Sequence, residues 1–371
     1  MKILSVFGTR PEAVKMAPVV KLLKEATDVE SRVCVTAQHR QMLDQVLELF
    51  NITPDYDLDL MKDNQTLSSL SASIFTDLEP VLKDFQPDWV LAQGDTTTVA
   101  ITSLLCYYHK IKFGHVEAGL RTHDKWAPFP EEINRRIAGA IADLHFAPTA
   151  WSKDNLLKEG VDENIIKVTG NTVIDALQFV SKQPEPKEIS ELVTNKLTTG
   201  KLILVTAHRR ENFGAGMENI CHALLDLSKE KDIQIVYPVH LNPNVQEPVN
   251  RLLKDVENIT LLPPLDYLPL VHLMKHATLI LTDSGGIQEE APAFGIPTLV
   301  LRDVTERPEG VAAGTVKLVG TESSRIKQEA KRLLEDQSEY QKMSKAANPY
   351  GDGHAAERIV AHLTQKQDIS S

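Results

Sequence analysis

The sequence predicts an α/β protein made of two doubly wound domains. Three observations carry that reading. Short continuous apolar runs alternate with longer amphipathic stretches, which is how parallel strands covered on both faces alternate with the helices that cover them. The alternation breaks at Lys182-Gln-Pro-Glu-Pro-Lys-Glu188, a polar segment with two prolines, and restarts after it. At roughly 150 residues per domain, 371 residues correspond to about two and a half domains.

In the first half, Lys2–Phe7 reads as a buried strand and Glu12–Glu25 as the helix after it, with Val14, Ala17 and the run 20–23 on one face. Val33–Thr36, Trp89–Ala92, Phe113–Val116 and Leu144–Ala147 read as further strands. Arg40–Phe50, Leu67–Phe85, Val99–His109 and Glu131–Ala142 read as the helices among them. In the second half, Leu202–Thr206, Ile233–Val239, Ile259–Leu262, Leu279–Thr282 and Thr298–Leu301 are the expected strands. Met217–Lys229, Val245–Leu253, Leu268–Lys275 and Gln288–Phe294 are the helices between them, and Ile326–Leu334 and Ala355–Gln365 close the chain helically. The domains expected from this pattern are 1–181 and 182–354. Sheets of this type bind ligands beyond the carboxyl ends of their strands, so two of them suggest a site in the cleft between domains.

Composition excludes several partners. With 40 Lys and Arg against 51 Asp and Glu, the net charge is −11, against a broad nucleic-acid surface or wide anchoring on an anionic membrane. One local basic pocket for a small anion stays open. Three cysteines are too few for a disulfide framework, and Cys34, Cys106 and Cys221 read as small core residues. The apolar run 3–7 is shorter than a signal-peptide core of roughly 7–15 residues, and no stretch approaches the roughly 18–20 of a membrane span. The expectation is a soluble cytoplasmic protein without nucleic-acid or membrane partners.

Six strand ends carry ionisable side chains, several beside glycine: Gly8-Thr-Arg10, Gln93-Gly-Asp95, Glu117-Ala-Gly119, His208-Arg209, His240 and Asp283-Ser-Gly-Gly286. Ser284, Gly285 and Gly286 fit an anion site, because glycines let backbone N–H groups approach a phosphate. The plainer alternative is a turn with Ser284 as N-cap. Arg10 and Arg307 are possible phosphate-facing cations, and an exposed arginine explains Arg307 equally well. Asp95, Glu117 and Glu131 are carboxylates able to converge and divide acid and base duties. Glu131 also suits a helix first turn, where the dipole favours an acid. His208 fits a general acid or base, or a neutral donor, while His240 fits either a buried, satisfied histidine or a ligand contact. No metal-binding spacing, Walker loop or GxSxG elbow occurs, and Gly351-Asp-Gly353-His-Ala-Ala356 follows no strand and so is no dinucleotide loop.

Taken together, Phe7-Gly-Thr-Arg-Pro-Glu-Ala13, Gly94-Asp-Thr-Thr-Thr98, Gly114-His-Val-Glu-Ala-Gly-Leu-Arg121, Pro130-Glu-Glu-Ile-Asn-Arg135, Thr206-Ala-His-Arg-Arg-Glu-Asn212, Asp283-Ser-Gly-Gly-Ile-Gln-Glu-Glu-Ala-Pro292 and Arg302-Asp-Val-Thr-Glu-Arg-Pro-Glu-Gly310 resemble one family along nearly the whole chain. It is the bacterial non-hydrolysing UDP-N-acetylglucosamine 2-epimerase family. The resemblance implies two Rossmann-like domains of the glycosyltransferase-B type, with the last helix, 355–371, returning to the first. It implies a homodimer that interconverts UDP-GlcNAc and UDP-ManNAc through 2-acetamidoglucal, without metal or cofactor, for surface polysaccharide synthesis.

By the same resemblance, Asp95, Glu117 and Glu131 transfer protons and His208 assists near the diphosphate. Arg10, Lys15, Ser284, Gly285, Gly286 and Arg307 hold phosphates, Glu290 accepts from the ribose and Leu270 contacts uracil. Some members are activated by a second UDP-GlcNAc, whose matching positions are Gln38, Gln41, Gln65, Arg209 and His240. Asn64 departs, standing where activated members can carry an arginine. The alternative function is a UDP-sugar glycosyltransferase of the same architecture; a non-catalytic sugar-nucleotide sensor would lack the three acids.

Overall fold

Aliphatic residues crowd the strands because each strand is buried on both faces. The structure is a computed structural model that describes residues 1–37, 40–62, 65–196 and 200–364. Among the described residues the first sheet has seven strands: β1 (Lys2–Phe7), β2 (Glu30–Val35), β3 (Tyr56–Asp57), β4 (Trp89–Gln93), β5 (Lys112–Val116), β6 (Leu144–Ala147) and β7 (Ile166–Val168). They lie in the order β3-β2-β1-β4-β5-β6-β7, all parallel. The second sheet has six: β8 (Lys201–Thr206), β9 (Ile233–Pro238), β10 (Ile259–Leu262), β11 (Leu279–Thr282), β12 (Thr298–Val300) and β13 (Val316–Leu318). Their order is β10-β9-β8-β11-β12-β13, again all parallel.

Both sheets reverse direction once. The chain moves outward from β1 and returns beside it as β4, and it repeats this with β8 and β11. At such a switch point the loops leaving neighbouring strands run apart, which opens a crevice at their carboxyl ends. Gly8 and Gly94 flank the first crevice; His208 and Asp283 flank the second.

The chain forms two compact units, Met1–Ala176 with the chain from Tyr350 onward, and Leu177–Pro349. In the first, Leu4, Val6, Val90 and Ala92 pack with Ile74, Leu78 and Leu82 of the helix Leu67–Phe85 and with Val99 and Leu105 of Thr97–His109. On the other face Met16, Val20 and Leu23 of Arg10–Glu25 are buried. The last helix, Ala355–Thr364, packs on Arg10–Glu25. In the second unit, Ile203, Val205, Ile235 and Leu281 meet Ile220 and Leu224 of Ala215–Leu227 and Val249 of Pro243–Leu253. Burying each such aliphatic side chain contributes about 1.5–3 kcal/mol, so these layers hold the loops that carry the polar residues.

The expected elements are present, with shifted ends. The first helix begins at Arg10 rather than Glu12, because Glu12 turns back to accept the N–H groups of Gly8 and Thr9 at 3.1 and 2.7 Å, a capping box, with Pro11 in the first turn. Pro292 splits the expected helix Gln288–Phe294 into Gly285–Glu290 and a 3₁₀ turn, Ala291–Phe294. The polar segment after Ser181 runs directly into a helix, Lys187–Lys196, whose Ile189 and Ser190 N–H groups bond Pro186 O. Within the described residues no helix is long and apolar enough to cross a membrane. Cys34, Cys106 and Cys221 are buried, and burial pushes all three thiols up, Cys221 to about 12.

Candidate active site

Because β1, β4 and β5 are neighbours, the residues that follow them emerge side by side. Glu12 joins two of these loops, accepting Thr96 Oγ1–H at 2.7 Å as well as the N–H groups after β1. Burial pushes its pKa up against those hydrogen bonds. At the end of β5, Glu117 sits at φ +62°, a backbone conformation unusual for a side chain of this kind. The residue is 8% exposed, and its carboxylate receives Lys15 Nζ at 2.5 Å, Asn171 Nδ2 at 3.1 Å and Gln93 Nε2. Asp95, on the adjacent loop, is partly exposed and takes a guanidinium N–H from Arg135 at 2.6 Å, while its backbone carbonyl accepts Asn134 Nδ2–H at 3.0 Å. Below these loops His115 Nε2 bonds Gly94 O at 2.7 Å, and burial pushes its pKa down to about 3. The ring is therefore neutral, with its proton on Nε2.

Glu131 is the first residue of the helix Glu131–Ile141, and the same helix delivers Asn134 and Arg135 to Asp95. Glu132, fully buried, fastens this helix to the loop after β5 by accepting the N–H groups of Thr122 and His123 at 3.0 and 3.2 Å. Burial favours its neutral form, yet Thr122, Arg135 and Arg136 hold its pKa below the usual carboxylate value.

In the second unit Asp283 ties the switch point together. It is fully buried, and Oδ2 accepts His208 N–H at 2.9 Å, Arg209 N–H at 2.8 Å and Asn212 Nδ2–H at 3.0 Å. His208 Nδ1 lies 3.8 Å from Asp283 Oδ1, and its ring stacks on His240 with centroids 5.2 Å apart. Both histidines line a cavity of about 460 Å³ with Arg209, Arg210, Glu211, Phe213 and Asn242. On the other side of Asp283, the guanidinium of Arg307 lies over Gly285: a Cβ there would stand 2.5 Å from Arg307 Nη1, so any larger residue would shift the guanidinium. Arg307 Nε donates to Glu289 at 2.5 Å and Nη1 to Glu306 at 2.9 Å. Burial alone would raise the Glu306 pKa, but Arg307, Arg302 and Arg209 hold it at about 2.

The chain is similar throughout its length to known proteins. The family model for UDP-N-acetylglucosamine 2-epimerase matches residues 21–364. The UDP-N-acetylglucosamine 2-epimerase of Escherichia coli K12 is 58% identical over 369 residues, 98% of each chain. That of Yersinia pestis is 57% identical over 377 residues, 99% of each. The crystal structure of the Neisseria meningitidis UDP-GlcNAc 2-epimerase bound to UDP-GlcNAc superposes with a TM-score of 0.90 at 51% identity, covering 98% of this chain and 99% of that one.

The chain belongs to the UDP-N-acetylglucosamine 2-epimerase family.

It is thus an isomerase with the glycosyltransferase-B-like fold of these epimerases. In this family member the expected residues fall into two groups. Asp95 and Glu117 stand on neighbouring loops of the first unit, with Arg10 opening the helix after β1 and Glu131 opening the helix that reaches Asp95. Ser284, Gly285, Gly286 and Arg307 gather at the end of β11 in the second. Ser284 occupies the N-cap position but its side chain makes no cap hydrogen bond, which departs from the plain-turn alternative. Glu290 is buried and accepts Tyr267 O–H at 2.9 Å, and Leu270, one turn further along the helix Tyr267–His276, is half-buried.

Lys15, expected at a phosphate, donates its ammonium to Glu117 at 2.5 Å. His240 is exposed in its cavity, so the buried-histidine alternative does not hold. Gln65 Nε2 donates to Leu60 O at 3.0 Å. Gln38, Asn64 and the side chain of Gln41 lie outside the described residues, as do 365–371 of the last helix. Asn171, Gln93, Arg135 and Tyr267 were missed. Gln93 adjoins the Gly94-Asp95 motif and Arg135 ends another, but Asn171 carries no local signal.

Proposed function

We propose that this epimerase interconverts UDP-GlcNAc and UDP-ManNAc by eliminating UDP and adding it back through 2-acetamidoglucal. The sugar C2 proton is not beside a carbonyl, so its removal alone would leave an unstabilised carbanion. In the α-linked gluco sugar, C2–H and C1–O are axial and anti. A base takes the C2 proton, the C–H electron pair forms C1=C2, and the C1–O pair departs with UDP. A proton then adds to C2 from the opposite face and a UDP oxygen reattaches at C1. The sum is an isomerisation that consumes no oxidant, cofactor or water.

The chemistry needs carboxylates at C2 and cations on the departing diphosphate. The observation that carries the reading is Glu117, a buried carboxylate paired with the Lys15 ammonium at a strand end, on the loop beside that of Asp95. Asp95, Glu117 and Glu131 serve as the proton-transfer acids. Arg307 and the loop Ser284–Gly286, with Arg10 and His208, take the diphosphate; Glu290 takes the ribose and Leu270 the base. Placing ¹⁸O in the bridge between C1 and the β-phosphorus tests the C–O cleavage. Elimination predicts that the label spreads into non-bridging β-phosphate oxygens, seen as a ³¹P isotope shift. A label that stays in the bridge while the sugar epimerises contradicts it.

A further inference from the structure

Glu117 is reached from three directions: by Lys15 from the first helix, by Gln93 at the end of β4 and by Asn171 from the loop after β7. The last of these loops is fastened by the returning end of the chain. Asn171 N–H donates to Tyr350 O at 2.7 Å. Beside it Gly170, at φ +91°, and Gly351, at φ +129°, meet backbone to backbone, and a Cβ on Gly351 would stand 3.4 Å from Gly170 Cα and 3.5 Å from Asn171 N. Further along, the Asp175 carboxylate accepts the N–H groups of Ala355 and Ala356 at 3.2 and 2.8 Å, at the start of the last helix. The segment Asn348-Pro-Tyr-Gly-Asp-Gly353 thus has a place.

The Asn171 side chain divides its amide between two partners. Oδ1 accepts Val173 N–H at 3.1 Å and caps the helix Thr172–Val180. Nδ2 donates to Glu117 Oε1 at 3.1 Å. Asn171 is 2% exposed, so solvent has little access to replace that donor. We propose that Asn171 is a positioning residue that aims the Glu117 carboxylate, and that the returning segment Tyr350–Gly353 holds Asn171 to that task. The inference rests on the reading of Glu117 as a proton-transfer acid.

Asn, Asp and Ser cap helices about equally well. Asn171→Asp and Asn171→Ser therefore keep an acceptor for Val173 and remove the amide donor to Glu117, the aspartate adding a like charge. Both variants should fold with a lowered melting temperature, Asn171→Asp more than Asn171→Ser, and at a temperature where each is folded should keep a KM for UDP-GlcNAc within about threefold while kcat falls about 10- to 100-fold. Glu117→Gln is assayed alongside. Wild-type kcat in both Asn171 variants, with Glu117→Gln inactive, would reduce Asn171 to a helix cap and overturn the inference. Wild-type kcat in Glu117→Gln would instead overturn the reading beneath it.

Discussion

His115 lies on β5 and Glu117 just beyond its end, and their surroundings differ. Glu117 meets an ammonium and two amides. His115 meets a single carbonyl in an apolar layer and stays neutral, as does His145, whose pKa burial pushes down to about 4. The unfolded chain protonates these rings near the ordinary 6.5, whereas the native state does not until about 3 and 4. Their contribution to stability is therefore complete above pH 6.5 and is lost progressively as the pH falls below it. Between pH 6.5 and 5 the loss is about 2 kcal/mol for each ring. Glu306 adds to the loss only below 4.5, and Glu12, with its raised pKa, acts in the opposite sense. Urea unfolding at pH 7 and pH 5 should thus show a smaller loss in His115→Gln than in the wild type; equal losses would reject the neutral, buried ring. At this scale the sequence displayed Asp95 and Glu117 plainly, because both follow apolar runs beside glycine. It hid their partners. Lys15 and Glu117 are 102 residues apart, and Asn171 and Glu117 are 54 apart. The folded sheet brings them together.

Among the secondary-structure elements, long periodic ones were legible and short ones were not. Leu67–Phe85 and Leu144–Ala147 have the boundaries that their patterns predict. β3, β7 and β13 are two or three residues long, too short for a period to show, and they form because a neighbouring strand offers a free edge. Capping moved other ends, as Glu12 did for the first helix. The last helix depends on a cap that no local pattern reveals, since its acceptor, Asp175, is 180 residues away from Ala355. Asp175→Ala should cost about 0.5–2 kcal/mol, the range for a lost N-cap, and expose the chain after Tyr350 to protease; Asp175→Asn, which keeps an acceptor, should cost less. Equal protease resistance in wild type and Asp175→Ala would contradict the capping role.

Over the whole molecule, one device is used twice. Each unit puts its switch point, and the polar residues beside it, at the carboxyl ends of a parallel sheet, and each equips that point differently: Asp95 and Glu117 with their Arg135 and Lys15 partners in the first, Asp283 with the glycines and Arg307 in the second. That division bears on how a chain of net charge −11 would take the anionic nucleotide proposed for it: Arg307, held over Gly285 by Glu289 and Glu306, is a local cation in an acidic chain. In the proposed reaction, carboxylates of the first unit exchange the C2 proton of the sugar. Incubation with UDP-GlcNAc in D₂O, without acceptor or cofactor, followed by ¹H NMR, should then give the C2 epimer, UDP-ManNAc, carrying deuterium at C2. An epimer that keeps its original C2 proton, or no new sugar and no exchange, would contradict it.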